Sequence, residues 1–96
     1  MNRQEALNTL VKVKPELTGR FGVIRLALFG STARDVANQE SDIDIMVAFD
    51  GPATSAKYFG VQFMLEDLFG YSVDLVPEKA LRSELRTYIE KEAIYV

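Results

Sequence analysis

The sequence predicts an α/β fold in which helices pack on a small mixed β-sheet. Three short apolar runs are predicted to be strands, and segments with helical or turn-like patterns separate them. A Gly-Ser pair follows the first strand and an Asp-x-Asp pattern opens the second, so these strands must be antiparallel if both features serve one ligand. A long helix connects the second and third strands, which favours a parallel pair with a right-handed crossover.

The N-terminal segment is predicted to be helical scaffold. Residues Asn2 to Val13 place most of their apolar side chains on one side of a helix. Lys14-Pro15 is expected to interrupt this helix, because the residue before a proline avoids the α region. Pro15 can then open a second helical turn that runs towards Gly19.

The first two strands enclose a short helix and a turn. The first strand is predicted over Val23 to Phe29, and the second over Asp42 to Phe49, whose apolar far end suits a central strand. Thr32 to Val36 is predicted to form a short helix with Ser31 near its cap. A polar turn over residues 37–40 then leads into the second strand.

A long helix is predicted over Ala53 to Phe69 and ended by Gly70. The residues on its core face, at about 100° per residue, are Tyr58, Val61, Met64, Leu65, Leu68 and Phe69. Phe59 and Phe63 lie on the opposite side, where they predict either local packing under a loop or a surface for a partner or a second copy of the chain. Gly60 costs the helix roughly 1 kcal/mol relative to alanine, which indicates the close approach of another group.

The C-terminal part is predicted to hold a third strand, a helical region and an extended end. The strand spans Tyr71 to Val76, Pro77 begins the helical region, and Ala93 to Val96 is extended. One face of the helical region is apolar and comprises Leu81, Leu85, Tyr88 and Ile89. The basic residues elsewhere on it are expected to be solvated, and these are Arg82, Arg86 and Lys91.

The segment from Gly30 to Asp44 carries the predicted site. Asp42 and Asp44 flank one residue, so in a strand their carboxylates point the same way, a few ångströms apart. Two such charges repel unless a cation lies between them, and Mg²⁺ takes oxygen ligands while leaving positions for phosphate. Gly30 and Ser31 form a tight turn into a helix start, whose free N–H groups suit an anion. The segment therefore predicts a nucleotide site; the alternative is an ordinary turn and a polar strand start.

Asp74 lies between Val73 and Leu75 in the third strand. An aspartate is disfavoured in a short apolar strand and is costly if it is buried alone. It therefore predicts either an edge position that faces water or a third carboxylate that converges on Asp42 and Asp44.

Composition excludes several classes of function. The net charge of −3 argues against a nucleic-acid groove, which needs clustered lysine and arginine. The absence of histidine and cysteine excludes imidazole catalysis, zinc bound by histidine or thiolate, and disulfides. No signal peptide is evident and no apolar run approaches the roughly eighteen residues of a membrane span, so a cytoplasmic protein without membrane contact is expected. The 96 residues are expected to form one domain, over 1–96.

Two stretches resemble the signature of the polymerase-β-type nucleotidyltransferase superfamily: Gly30-Ser31-Thr32-Ala33-Arg34 and Ser41-Asp42-Ile43-Asp44-Ile45. The chain length and the closing segment LRSELRTYIEKEAIYV are similar to minimal nucleotidyltransferase (MNT) domains, including antitoxins paired with HEPN-domain toxins. The resemblance implies the α/β core of that superfamily, with helices packed on a small mixed sheet.

The resemblance also implies roles for individual residues. Asp42 and Asp44 would hold two Mg²⁺ ions, and Asp74 would complete the catalytic metal site and help to activate an acceptor hydroxyl. Gly30 and Ser31 would hold the β- and γ-phosphates of ATP. For Arg34 two interpretations stay open: a contact to a phosphate or an acceptor, or an exposed position on the helix surface.

The implied reaction is the transfer of AMP from ATP to a hydroxyl, with release of pyrophosphate. A chain of this length leaves no residues for an acceptor domain, so the acceptor is expected to be another molecule. The MNT resemblance implies a tyrosine of a HEPN ribonuclease toxin, where added charge and bulk would block RNA. Two alternatives are an antitoxin that neutralises its partner by binding alone and a subunit of a small-molecule nucleotidyltransferase.

Overall fold

A four-stranded mixed β-sheet is the framework of the structure, a computed structural model that describes residues 2–36 and 42–96. In chain order, the elements are α1 (Arg3–Phe21), β1 (Val23–Phe29), α2 (Gly30–Ala33), β2 (Ile43–Phe49), α3 (Ser55–Phe69), β3 (Val73–Pro77), a 3-10 turn (Glu78–Ala80), α4 (Ser83–Glu92) and β4 (Ile94–Tyr95). The polar turn predicted over 37–40, and Ser41, lie outside the described residues.

The strand order is β3-β2-β1-β4. β1 pairs antiparallel with β2 and with β4, whereas β2 and β3 are parallel and connected by α3. The predicted mixed sheet and both predicted strand orientations are therefore confirmed. This topology brings the C-terminal end of β1 and the N-terminal ends of β2 and β3 to the same end of the sheet.

α1 is one continuous helix, so the break predicted at Lys14-Pro15 is wrong. Pro15 is exposed, and an interior proline costs a helix about 3 kcal/mol. Val13 and Leu17, two residues to either side, are buried in the core, and burial of each stabilises the fold by about 1.5–3 kcal/mol. Packing on the sheet therefore offsets the cost of the proline.

α3 begins at Ser55, where the Thr54 side chain caps it, and it ends at Gly70 as predicted. Three residues of the predicted core face are fully in the core, and these are Val61, Leu65 and Phe69. These three residues are four positions apart, so the buried face of α3 is narrower than the predicted core face. Leu68, at the margin of this face, is half-exposed, so its assignment to the core is wrong.

Two other features of α3 agree with the sequence. A β-carbon built on Gly60 would overlap the Phe21 ring, with the ring Cζ at 2.8 Å, so the expected close approach is a contact with α1. Phe59 and Phe63 are 47% and 62% exposed, and their stacked ring centroids lie 5.9 Å apart. No loop in the described part of the chain buries these two rings.

The C-terminal region differs from its prediction at both ends of the connection to α4. Pro77 is the last residue of β3 and does not begin a helix. Arg86 is not fully solvated as expected, because its Nη2 donates to the carbonyl oxygen of Glu78 at 3.3 Å. Within the described residues, α4 contributes no fully buried side chain, and no helix is long and apolar enough to cross a membrane.

Candidate active site

Two carboxylates lie side by side on adjacent strands. Asp44 and Asp74 are each the second residue of their strand, and they are partners across the parallel β2–β3 pair. The residues that flank them are buried on the opposite, helix-covered face, and these are Ile43, Ile45, Val73 and Leu75. Asp74 lies on an edge strand and is exposed, so it occupies the edge position and also approaches Asp44.

The surroundings of Asp44 disfavour its charge. The pKa of Asp44 is raised from 3.8 to about 6. The largest cause is burial, followed by the negative charge of Asp74 and a hydrogen bond between the two side chains. The charge of Asp42 raises this pKa further, whereas the charge of Arg34 lowers it. Asp44 is therefore a carboxylate whose charged form gains from a nearby cation.

Asp42 lies just before β2 and is exposed. It is close enough for its charge to act on Asp44. In the ranges 2–36 and 42–96, however, no three acidic side chains form a ready-made metal centre. The structure therefore brings Asp44 and Asp74 together directly and leaves Asp42 at the margin of the pair.

The glycine turn lies directly against Asp44. Gly30 has φ of 73°, and a β-carbon at this position would overlap the Asp44 carboxylate, with Cγ only 2.9 Å away. Phe29, at the end of β1, is the partner of Asp44 across the antiparallel pair. Only glycine fits both the backbone conformation and the space.

α2 occupies Gly30–Ala33, earlier than the predicted Thr32 to Val36. Ser31 therefore lies inside its first turn, half-buried, instead of at the cap. The reason is Gly30: its left-handed conformation turns the chain directly out of β1, so the helix needs no preceding loop.

Arg34 follows α2 and makes an ion pair that the sequence did not predict. Its Nη1 donates to both carboxylate oxygens of Glu92, at 3.2 and 3.0 Å. The two residues are 58 positions apart and belong to different elements, so no local sequence signal could have revealed the pair. Glu92 is thus a residue near the site that the sequence analysis missed.

Carboxylates gathered on adjacent strands beside a tight glycine turn are suited to nucleotidyl transfer, where positioning and charge neutralisation do most of the work. The chain belongs to the nucleotidyltransferase domain family, because the sequence profile of that family matches residues 10–96. It is thus a nucleotidyltransferase, as the resemblance implied.

The chain is similar along nearly its whole length to named relatives and to solved structures. The chain is 37% identical over 93 residues to protein adenylyltransferase MntA of Thermococcus cleftensis, covering 97% of this chain and 94% of the relative. A solved structure of a protein described as a minimal nucleotidyltransferase superimposes with a TM-score of 0.83 and 36% identity, covering 98% and 95% of the two chains. In the complex of tri-AMPylated Shewanella oneidensis HEPN toxin with MNT antitoxin, a chain superimposes with a TM-score of 0.69 and 19% identity, covering 97% and 70%. The polymerase-β-type core is confirmed.

Proposed function

We propose that this nucleotidyltransferase is an antitoxin that transfers AMP from ATP to a tyrosine hydroxyl of a HEPN ribonuclease toxin. The observation that carries the proposal is the Asp44–Asp74 pair, which lies beside the Gly30 turn. The relative in Thermococcus cleftensis, which this chain matches over nearly its whole length, is named a protein adenylyltransferase. Together they support a transferase whose acceptor is a protein.

The donor set suits magnesium. Asp42, Asp44 and Asp74 offer carboxylate oxygens, which Mg²⁺ prefers, and burial and the charge of Asp74 raise the pKa of Asp44, so its charged form would gain from a bound cation. These three residues would hold the metal. When bound, Mg²⁺ would neutralise the triphosphate and the pyrophosphate that leaves. The number of ions, expected to be two, stays a prediction.

The remaining roles belong to the chain itself. In the proposed reaction the acceptor oxygen forms a bond to the α-phosphorus, the bond from that phosphorus to the bridging oxygen breaks, and pyrophosphate leaves. Asp74, exposed at the sheet edge, takes the proton from the acceptor hydroxyl. The backbone N–H groups of Gly30 and Ser31, with the serine hydroxyl, hold the β- and γ-phosphates.

The acceptor protein needs a surface to bind. We assign this to Phe59 and Phe63, because exposed aromatic side chains are enriched at protein interfaces. The toxin is preferred over a second copy of the chain, since the reaction requires it.

The expected absence of direct nucleic-acid binding and the cytoplasmic location stay predictions; both proposed reactants, ATP and a ribonuclease, act in that compartment.

The test is mass spectrometry of the toxin after incubation with the chain, Mg²⁺ and ATP. We expect AMP on a toxin tyrosine, and loss of this modification when Asp42 and Asp44 are both changed to asparagine. Asp50→Asn, an exposed position that follows the opposite end of β2, is the matched control and should leave the modification unchanged. A toxin that is neutralised without acquiring AMP would contradict the proposal and favour neutralisation by binding. AMP found on a small hydroxylated compound but never on protein would favour the small-molecule alternative.

A further inference from the structure

Glu92 makes a two-point contact with Arg34. The Nη1 of Arg34 donates to both oxygens of the Glu92 carboxylate, at 3.2 and 3.0 Å. The Glu92 side chain is 23% exposed, whereas that of Arg34 is 50% exposed. Glu92 is therefore the more enclosed partner of the pair.

The backbone fixes Glu92 more firmly than the surface position of α4 suggests. Glu92 is the last residue of α4, and β4 begins two residues later at Ile94. Ile94 pairs with Leu28 of β1, the same strand that ends at Gly30 and leads through α2 to Arg34. The ion pair thus connects the end of α4 to the residue that follows α2, and both of these elements adjoin β1.

Arg34 is also close to the carboxylate pair. Its backbone N–H donates to the carbonyl oxygen of Gly30 at 3.1 Å, and Gly30 lies directly against the Asp44 carboxylate. The Arg34 side chain therefore begins one helical turn away from the site, with its Nη1 bound to Glu92. An arginine in this position can offer its remaining N–H groups to a phosphate.

We infer that Glu92 is a positioning residue for the nucleotide: it holds the Arg34 guanidinium in place beside the carboxylate pair before ATP binds. The inference rests on the proposed function, because it takes Arg34 as a phosphate ligand. A long side chain that is ordered in advance loses less conformational freedom on binding. Loss of this ordering corresponds to roughly a two- to tenfold weaker affinity for ATP.

The experiment is calorimetric titration of the whole chain with Mg²⁺ and ATP, without toxin. Glu92→Gln keeps the size but removes the charge, and we expect its affinity for ATP to fall by about two- to tenfold. Glu92→Asp keeps the charge but shortens the side chain by one methylene, so it should lose a similar amount. Glu90→Gln, on the same helix, is the matched control and should bind ATP as the wild type does.

The decisive comparison uses the Arg34→Ala background. If Glu92 acts through Arg34, Glu92→Gln should cause no further loss of affinity once Arg34 is alanine. Equal losses in both backgrounds, wild-type affinity in Glu92→Asp, or tighter binding by Glu92→Gln would overturn the inference. A chain that binds ATP but modifies no toxin would overturn the proposed function alone. A wild-type chain that binds no ATP would overturn both.

Discussion

Asp44 and Asp74 are direct partners across two parallel strands, so two like charges lie side by side on one face of the sheet. Burial and this neighbour together raise the pKa of Asp44 to about 6. The arrangement weakens the fold when nothing binds and favours the binding of a cation. The first two predictions follow from this conflict.

Stability should fall as the pH rises through about 6. Between pH 4 and 6 the folded chain holds a proton on Asp44 that the unfolded chain, with the ordinary pKa of 3.8, has released. Because the site is partly open to solvent, we expect the free energy of unfolding to drop by only about 0.5–1 kcal/mol between pH 5 and pH 7. Urea unfolding at the two pH values, without Mg²⁺, measures this change.

The matched variant is Asp44→Asn, which should lose this part of the pH dependence and be more stable than the wild type at pH 7. Titrating groups remote from the site contribute equally to both proteins, so the difference between them isolates Asp44 and its coupling to the neighbouring carboxylates. Equal pH profiles for the two proteins would contradict the assignment of the raised pKa.

Mg²⁺ with ATP should raise the melting temperature. A ligand that binds only the folded chain stabilises it by about 2.7 kcal/mol at one hundred times its dissociation constant, which corresponds to a shift on the order of 10 °C. The shift should be larger at pH 7.5 than at pH 5.5, because a proton on Asp44 competes with the metal. Differential scanning fluorimetry measures it, with a chelator to reverse the effect. An unchanged melting curve, or the same shift when Asp42 and Asp44 are asparagine, would count against the site.

Gly30→Ala should damage both the fold and the site. An alanine in the left-handed conformation costs about 1–2 kcal/mol, and here its β-carbon would also overlap the Asp44 carboxylate. Gly70→Ala is the matched control, since Gly70 has nearly the same φ, 72°, but no atom within 4 Å of the added carbon. Gly30→Ala should therefore be less stable than Gly70→Ala and should also lose nucleotide binding. Equal stabilities in chemical unfolding would show that the carboxylate moves aside freely.

Gly60→Ala should destabilise the chain even though alanine is the better helix former. The added carbon would overlap the Phe21 ring, and overpacking typically costs about 1–3 kcal/mol. Gly19→Ala, in α1 with no atom within 4 Å of the added carbon, should instead stabilise the chain by about 0.5–1 kcal/mol. The unfolding midpoints of the two variants test this difference in stability. Phe21→Leu, which removes the ring, should reduce the loss of stability caused by Gly60→Ala. A stabilised Gly60→Ala would contradict the packing of α3 on α1.

Local patterns predicted the elements and the sheet well. β1 matches its predicted range, and the antiparallel pairing of β1 and β2 followed from asking how Gly30 and Asp44 could meet. The parallel pairing of β2 and β3 followed from the long helix that connects them. This worked because strand direction is fixed once two distant features must share a ligand. Asp74 beside Asp44 agrees with the expected convergence, although the roles of these residues stay proposals.

The errors came from long-range packing. The helix around Pro15 persists because Val13 and Leu17 are buried, and the local proline rule does not include that contribution. Arg86 and Glu92 take part in ion pairs with residues of other elements, so their own helix gave no sign of them. What the sequence missed is therefore the side-chain pairing between different elements, whether these are consecutive in the chain, as for Arg86 and Glu78, or 58 residues apart, as for Arg34 and Glu92.

The alignment of β3 on β2 links the interior of the molecule to its chemistry. Val73 and Leu75, on either side of Asp74, are only 4% and 2% exposed. A shift of β3 by a single residue would move the Asp74 carboxylate into the interior and expose an apolar neighbour, so it is strongly disfavoured. The buried neighbours of Asp74 thus also keep its carboxylate on the same face of the sheet as that of Asp44.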